Sequence, residues 1–123
     1  MQVWIALDVA DRHSGCLWYA RGSHRAGDLR HGPGRQPPFS QELAVDWDPH
    51  DYPPVPAELE PGDAVIHHIR TIHWTEANTS DHHRRGLVMD YKGVNAVVNQ
   101  ERKAAHMENL KRLLEKHQKE NPQ

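Results

Sequence analysis

The protein has 123 residues, enough for one small domain with a modest core. Its 15 Lys and Arg residues against 17 Asp and Glu residues give a formal net charge of -2, which argues against a nucleic-acid-binding or membrane-binding surface. The single cysteine, Cys16, excludes an intrachain disulfide, and no apolar run approaches the roughly 18 residues of a spanning helix. We therefore expect a cytoplasmic protein.

The first half of the chain begins with two strand-like segments. The apolar run VWIALDV at 3–9 predicts a buried strand, and CLWYA at 16–20 predicts a second strand after the turn-like DRHSG. RGSHRAG then predicts a loop. Eight of the nine prolines lie between Pro33 and Pro61. Because proline removes a backbone donor, residues 28–61 predict an irregular loop with at most a short strand near LAVDW.

The second half predicts three more strands and a helix. After a turn at EPGD, the strands are AVIHHI at 64–69, TIHWT at 71–75 and RRGLVMDY at 84–91, with the polar turn EANTSDHH before the last. From about Asn99, helix-forming residues and an apolar stripe predict a helix that docks on the body or on a partner chain; the stripe is Met107, Leu110, Leu113, Leu114 and His117. The elements predict a mainly β, antiparallel domain at 1–98, followed by a C-terminal helix and tail at 99–123.

The histidines of residues 62–91 raise the question of a metal site. His73 is the best candidate, because alternation along a strand would point its imidazole inward with the threonines of TIHWT. Arg84 follows eleven residues later, so the two would lie close on adjacent antiparallel strands. Iron(II) oxygenases use two histidines and one carboxylate as ligands, and an arginine fork can bind a keto acid. On spacing alone, a structural histidine and a surface arginine stay open. His67 and His68 alternate faces, so only one can point inward.

Four motifs together give a specific resemblance. They are VWIALD, SGCLWYARGSH, EPGDAVIHHIRTIH and EANTSDHHRRGLVMDY, and they cover nearly all of residues 2–92. In order and spacing, the chain resembles the C-terminal part of the phytanoyl-CoA dioxygenase family of iron(II)/2-oxoglutarate-dependent oxygenases. The resemblance implies a double-stranded β-helix (jelly roll, cupin-like), incomplete at its N-terminus. It also implies hydroxylation of an unactivated C–H bond of a small organic substrate, with Fe(II) and 2-oxoglutarate.

The resemblance also assigns roles to residues. It implies that His73 is a catalytic iron ligand and that Arg84 binds the far carboxylate of 2-oxoglutarate, with Arg85 as the adjacent alternative. The Thr75 hydroxyl would assist that carboxylate. Trp4 would lie beside the co-substrate, although an ordinary core aromatic is an equal alternative. Where the family has a small residue, this chain has a bulky tryptophan at position 74, which is expected to narrow the site.

The family's other two ligands are absent from this sequence. They come from a His-x-Asp pair upstream of VWIALD, and none of the 11 histidines here has Asp two positions later. The favoured explanation is that the chain is a fragment. Alternatively it is a degenerate, non-catalytic barrel that binds a ligand or a protein, or His67, His68, Asp8 or a neighbouring chain completes an unorthodox site. Unpaired strand edges lead us to expect homodimers or aggregates through exposed strands or the C-terminal helix.

Overall fold

The computed structural model describes residues 1–33 and 41–120. This part is mainly β with one C-terminal helix, as predicted. Its elements are β1 Gln2–Ala6, β2 Leu17–Ala20, a 3-10 helix Ser23–Ala26, β3 His31–Pro33, β4 Gln41–Leu43, β5 Pro54–Ala57, β6 Ala64–His67, β7 His73–Thr75, β8 Gly86–Asp90 and α1 Gln100–Glu120. Within the same residues, no helix is long and apolar enough to cross a membrane.

The chain divides into two compact units, and the first contains the residues of the candidate site. This unit comprises Met1–Asp28 and Trp47–Gly93. It contains two three-stranded sheets of antiparallel pairs, one in the order β6-β1-β8 and the other in the order β5-β2-β7. From β5 to β8, consecutive strands alternate between the two sheets.

The core of the first unit draws side chains from both sheets. Trp4 and Ala6 of β1 and Leu17 of β2 are buried in one cluster with Ala10 and Cys16. Successive side chains of a strand point to opposite faces, and β1 alternates accordingly between half-buried and buried positions from Val3 to Ala6. The burial pattern therefore identifies the face of β1 that carries Trp4 as the inner face.

The connection from β1 to β2 confirms the turn predicted at DRHSG. The Ser14 amide donates to Asp11 Oδ1 at 2.7 Å, and the Asp11 amide donates back to Ser14 Oγ at 2.9 Å. Gly15 follows with φ of 78°, a backbone conformation that residues other than glycine rarely adopt. β1 itself is shorter than predicted and ends at Ala6, and a single bridge beyond it joins Ala10 to Leu59.

The prediction of an irregular loop at 28–61, with at most a short strand near LAVDW, was wrong for β3 and for β5. Pro54–Ala57 forms a full edge strand against β2, with Pro54 opposite Ala20 and Pro56 opposite Trp18. The Arg21 amide donates to the Pro53 carbonyl at 3.0 Å, so the hydrogen-bonded pairs are odd-numbered on β5. Pro54 and Pro56 belong to the pairs in between, so their backbone nitrogens point away from β2. The N–H groups that proline lacks would therefore make no hydrogen bond to β2. The middle of the predicted loop, 34–40, lies outside the described residues.

The second unit comprises Leu29–Asp46 and Val94–Gln123. In it β3 pairs with β4, and α1 begins after Asn99, whose side-chain oxygen accepts from the Arg102 amide at 2.9 Å. Asn is a favoured N-cap residue, which explains why the helix starts where it was predicted. No residue of α1 is buried, so the predicted docking of its apolar stripe stays a prediction. The predicted division at residue 98 also stays a prediction.

Candidate active site

His73 opens strand β7 and lies opposite Tyr19 of β2. Its Nδ1 lies 2.8 Å from the carbonyl oxygen of Thr71. A carbonyl can only accept, so Nδ1 carries the proton, and in the neutral ring Nε2 keeps its lone pair. Thr75 lies on the same face of β7, two residues further on. His73 and Thr75 are both exposed and Trp74 between them is half-buried, so the prediction that the His73 imidazole points inward with Thr75 was wrong. The local backbone thus prepares His73 as a ligand through Nε2.

His67, at the end of β6, is the inward histidine of the adjacent pair. It is only 8 % exposed, whereas His68 is exposed. Its ring centroid lies 5.0 Å from that of His73 and 5.0 Å from that of Tyr19. Burial lowers the pKa of His67 because the charged imidazolium loses hydration. In the described part of the chain, its Nε2 is buried without a hydrogen-bond partner.

Tyr19 joins the two histidines from β2. Its ring centroid lies 6.0 Å from that of His73, and its hydroxyl is buried without a partner among the described residues. Burial raises the pKa of Tyr19 to about 12, because the phenolate would lose hydration. The hydroxyl therefore stays protonated at neutral pH and can donate a hydrogen bond to a bound ligand.

Arg84 and Trp4 form a second contact of the site. The Arg84 guanidinium carbon lies 5.5 Å from the centroid of the Trp4 indole, within the range of a cation–π interaction. The Arg84 Nε is buried and lacks a partner in the described part of the chain. Trp4 itself is 6 % exposed. The Arg84 guanidinium thus lies on an apolar ring, and its Nε donor is left without a hydrogen bond to the described residues.

Arg85 is already engaged with an internal carboxylate. Its Nε and Nη2 donate to the two oxygens of Asp8 at 2.8 and 2.7 Å, and its amide donates to Asp8 at 2.8 Å. These hydrogen bonds hold the pKa of Asp8 well below its usual range. Because both oxygens of Asp8 already bind Arg85, Arg84 is the one of these two arginines that is available to an added carboxylate.

The predicted placement of His73 and Arg84 on adjacent strands was wrong. β7 pairs with β2, whereas β8, which follows Arg84, pairs with β1 in the other sheet. The predicted effect of Trp74 was also wrong. Trp74 lies on the opposite face of β7 from His73 and packs against Trp18 and Trp47, with centroids 6.2 and 5.2 Å away. Its bulk therefore lies away from the imidazole.

Tyr19 had no predicted role, and His67 had one only as a possible completion of an unorthodox site. The register pairs Tyr19 with His73 and puts both on one face, and that pairing of β2 with β7 could not be read from the sequence. Among residues 1–33 and 41–120, no group of three or more His, Cys, Asp or Glu side chains could hold a metal ion. The family's three-ligand iron centre therefore does not fit the ligands that these residues supply.

Comparison with known proteins decides the family. The family model described as phytanoyl-CoA dioxygenase (PhyH) matches residues 1–86. The chain belongs to this family of iron and 2-oxoglutarate oxygenases. Phytanoyl-CoA dioxygenase domain-containing protein 1 of Danio rerio is 38 % identical over 84 residues, which cover 66 % of this chain and 29 % of that protein.

Two solved structures of similar proteins contain the co-substrate. EvdO2 from Micromonospora carbonacea var. aurantiaca, complexed with 2-oxoglutarate, is 34 % identical with a TM-score of 0.57, covering 71 % of this chain and 35 % of that one. The epimerase SnoN, in complex with Fe3+, alpha ketoglutarate and nogalamycin RO, is 28 % identical with a TM-score of 0.55, covering 71 % and 32 %. The chain thus spans about a third of the length of the relative and the two solved structures named here.

Proposed function

We propose that the first unit binds 2-oxoglutarate as part of an iron(II)/2-oxoglutarate-dependent dioxygenase site, on a fold of the double-stranded β-helix type. The complete reaction would hydroxylate an unactivated C–H bond of a small organic substrate. Membership of the phytanoyl-CoA dioxygenase family supports the proposal, as does the similarity to EvdO2, which was crystallised with 2-oxoglutarate.

The observation that carries the proposal is the state of Arg84. Its guanidinium lies on the Trp4 ring and its buried Nε has no partner in the described residues. Burying a donor of a charged group without a hydrogen bond is unfavourable, and a carboxylate would relieve that cost with a charge-assisted bond. Because Asp8 already occupies Arg85, the far carboxylate of 2-oxoglutarate is assigned to Arg84, next to Trp4.

The remaining predicted residues have narrower roles. Thr75 lies on the same face of β7 as His73, so its hydroxyl is assigned to the co-substrate side of the site. His73 is assigned to one iron ligand position. Bound iron supplies the activation of dioxygen in this chemistry. Since the sequence contains no His-x-Asp pair, the complete reaction requires such a pair together with these residues.

The test is a calorimetric titration of 2-oxoglutarate into the 1–123 chain and its arginine variants. We expect Arg84→Ala to weaken binding by at least about tenfold, since a hydrogen bond to a charged group contributes roughly 1.5–3 kcal/mol. Arg85→Ala is the matched control, because it removes the same charge one residue along. It breaks an exposed ion pair with Asp8 and should leave 2-oxoglutarate affinity within about twofold.

Equal losses in the two arginine variants would contradict the assignment, because they would indicate a general charge effect. Circular dichroism of each variant checks that the first unit keeps its β structure.

A second function is favoured by one observation, the absence of any His-x-Asp pair from the sequence. The chain would then be a non-catalytic barrel that binds a ligand or a protein. The two functions differ under anaerobic conditions with Fe(II) and 2-oxoglutarate. An oxygenase site gives a weak visible charge-transfer band, which should be lost in His73→Ala. A binding module takes up 2-oxoglutarate without that band.

A further inference from the structure

His67 leaves a buried hydrogen-bond acceptor unused inside the first unit. From this feature and from the adjacent Tyr19, we propose that these two residues bind the hydroxyl groups of the organic substrate. The inference rests on the function proposed above and adds the chemical class of the substrate, a small organic molecule that carries at least one hydroxyl. Neither residue needs a metal ion for this role.

His67 lies on the core side of its sheet. The register places Trp4 opposite Val65, and His67 follows Val65 by two residues on β6, so the three side chains lie on one face. Burial along β6 alternates accordingly and ends with His67 as the buried residue. With 8 % of its surface exposed, His67 is more than nine-tenths buried. A polar ring in this position needs partners from within the protein or from a ligand.

The backbone around His67 fixes what its ring can bind. Nδ1 lies 3.2 Å from the His68 carbonyl oxygen, which can only accept, so Nδ1 carries the proton of the neutral ring. Burial lowers the pKa of His67, which keeps the ring neutral at neutral pH. Nε2 therefore presents a lone pair, and it has no hydrogen-bond partner within the described residues.

Tyr19 supplies the complementary group from the other sheet. Its ring centroid lies 5.0 Å from that of His67, and its hydroxyl is also buried without a partner in the described part of the chain. The hydroxyl keeps its proton at neutral pH, because burial raises its pKa. The two neighbouring side chains thus leave one acceptor and one donor unused.

This combination selects among classes of ligand. A carboxylate or a ketone only accepts hydrogen bonds and cannot satisfy the lone pair of His67, so 2-oxoglutarate does not fit this pair. An ammonium group only donates and would leave the Tyr19 proton unused. A hydroxyl both donates and accepts, so a hydroxylated ligand satisfies both residues, through one hydroxyl or through two. An analogue without the hydroxyl leaves buried polar groups unpaired and is rejected.

The direct test compares two probes with the same carbon skeleton by 15N NMR of the histidine rings in the full chain. Cyclohexanol donates and accepts, whereas cyclohexanone only accepts. We expect cyclohexanol to shift the Nε2 resonance of His67 saturably and to bind about tenfold more tightly than cyclohexanone. The exposed His68 reports any general solvent effect of the probes.

Two results of this titration would overturn the proposal. One is equal affinity for the two probes. The other is a His67 Nε2 that is already hydrogen-bonded in the free chain and does not respond to cyclohexanol, because a trapped water then occupies the acceptor.

Variants of His67 separate recognition from packing, with affinities measured by ligand-observed NMR. His67→Gln keeps an acceptor oxygen on a side chain of similar reach and should retain the preference for cyclohexanol. His67→Phe keeps a ring without an acceptor and should bind the two probes equally. His68→Phe is the matched control and should keep the wild-type preference. Loss of the preference in His68→Phe as well would contradict the assignment, and if His67→Phe fails to fold, the wild-type resonances still decide.

The hydroxyl inference and the proposed function can fail separately. Arg84→Ala should lose 2-oxoglutarate binding and keep the preference for cyclohexanol, whereas His67→Phe should show the reverse. A wild-type chain that binds 2-oxoglutarate but does not distinguish the probes contradicts only the hydroxyl inference. A wild-type chain that distinguishes the probes but does not bind 2-oxoglutarate contradicts the proposed function.

Discussion

Tyr19 carries a consequence of burial that titration can measure. Burial raises its folded-state pKa to about 12, against about 10 in an unfolded chain. As pH rises from 10 to 12, the unfolded chain releases this proton first, so the free energy of unfolding falls across that window. Denaturant unfolding at several pH values should show this loss in the wild-type chain.

Tyr19→Phe is the control for that prediction. Without the hydroxyl, the stability loss between pH 10 and 12 should shrink, and the latest phenolate absorbance step should disappear. An unchanged late step in Tyr19→Phe would show that another tyrosine causes it. The comparison also tests whether the hydroxyl lies inside the first unit as described.

The pair Arg84 and Arg85 shows what a motif leaves open at the scale of one residue. Adjacent arginines have the same chemistry, and the sequence does not show which of them binds a carboxylate of the same chain. The fold decides, because Asp8 just beyond β1 reaches Arg85 with both oxygens while Arg84 lies over Trp4. The roles of His73 and Arg84 were predicted from the sequence and stay predictions, whereas the contact between Arg84 and Trp4 was not predicted.

At the scale of the elements, the contact between β8 and β1 depends on Gly86. A Cβ built at this glycine would overlap the indole of Trp4, the residue that supports Arg84. Gly86→Ala should therefore displace the ring and destabilise the chain by about 1–3 kcal/mol, as overpacking usually does. Thermal denaturation measures the loss of stability, and 2-oxoglutarate titration should show weaker binding as well.

Gly93→Ala is the matched control for Gly86→Ala. Nothing lies within 4 Å of a Cβ built at Gly93. This variant should therefore leave the melting temperature nearly unchanged. Equal melting temperatures of Gly86→Ala and the wild-type chain would contradict the packing of Trp4 against β8.

The pairing of strands is the point at which sequence reasoning about elements failed. The positions of β2, β6, β7 and β8 followed from apolar and β-branched runs between turns, and the start of α1 followed from its helix-forming residues. The expectation that β7 pairs with β8 rested on short connections, which favour pairing of successive strands. From β5 to β8 each successive strand lies in the other sheet, and periodicity within a strand carries no information about its partner.

At the scale of the whole molecule, one sheet exposes an apolar face. On the side of β1 away from the core, the register aligns Val3 with Ile66 and Met89, and Ile5 with Leu87. Ile66 is 62 % exposed and Leu87 is 49 % exposed. Contiguous exposed apolar side chains on a sheet with free edges favour self-association.

We therefore predict that the isolated chain forms dimers or larger species through this face. Ile66→Lys should raise the dissociation constant by at least about tenfold, because it replaces roughly 1.5–3 kcal/mol of apolar burial with a charge. Light scattering over a concentration series gives the measurement. Val94→Lys, which makes the same charge change at a fully exposed residue outside the sheet, is the control.

A wild-type chain that stays monomeric over the whole concentration series would contradict this prediction. If the self-association survives Ile66→Lys and instead disappears when Leu110 or Leu114 of α1 is made polar, the apolar stripe of the helix is the contact surface. Either result identifies which of the two expected surfaces acts in solution.

The sequence by itself determined the mainly β class, the terminal helix and the family, since these depend on local periodicity and on ordered motifs. The roles of His73 and Arg84 stay predictions. Only the tertiary structure decided that Asp8 occupies Arg85, that Trp4 lies under Arg84 and that His67 and Tyr19 meet His73. These contacts join residues far apart in the chain, and they depend on which sheet each strand enters. That choice is made by packing of the whole core, which no local pattern specifies.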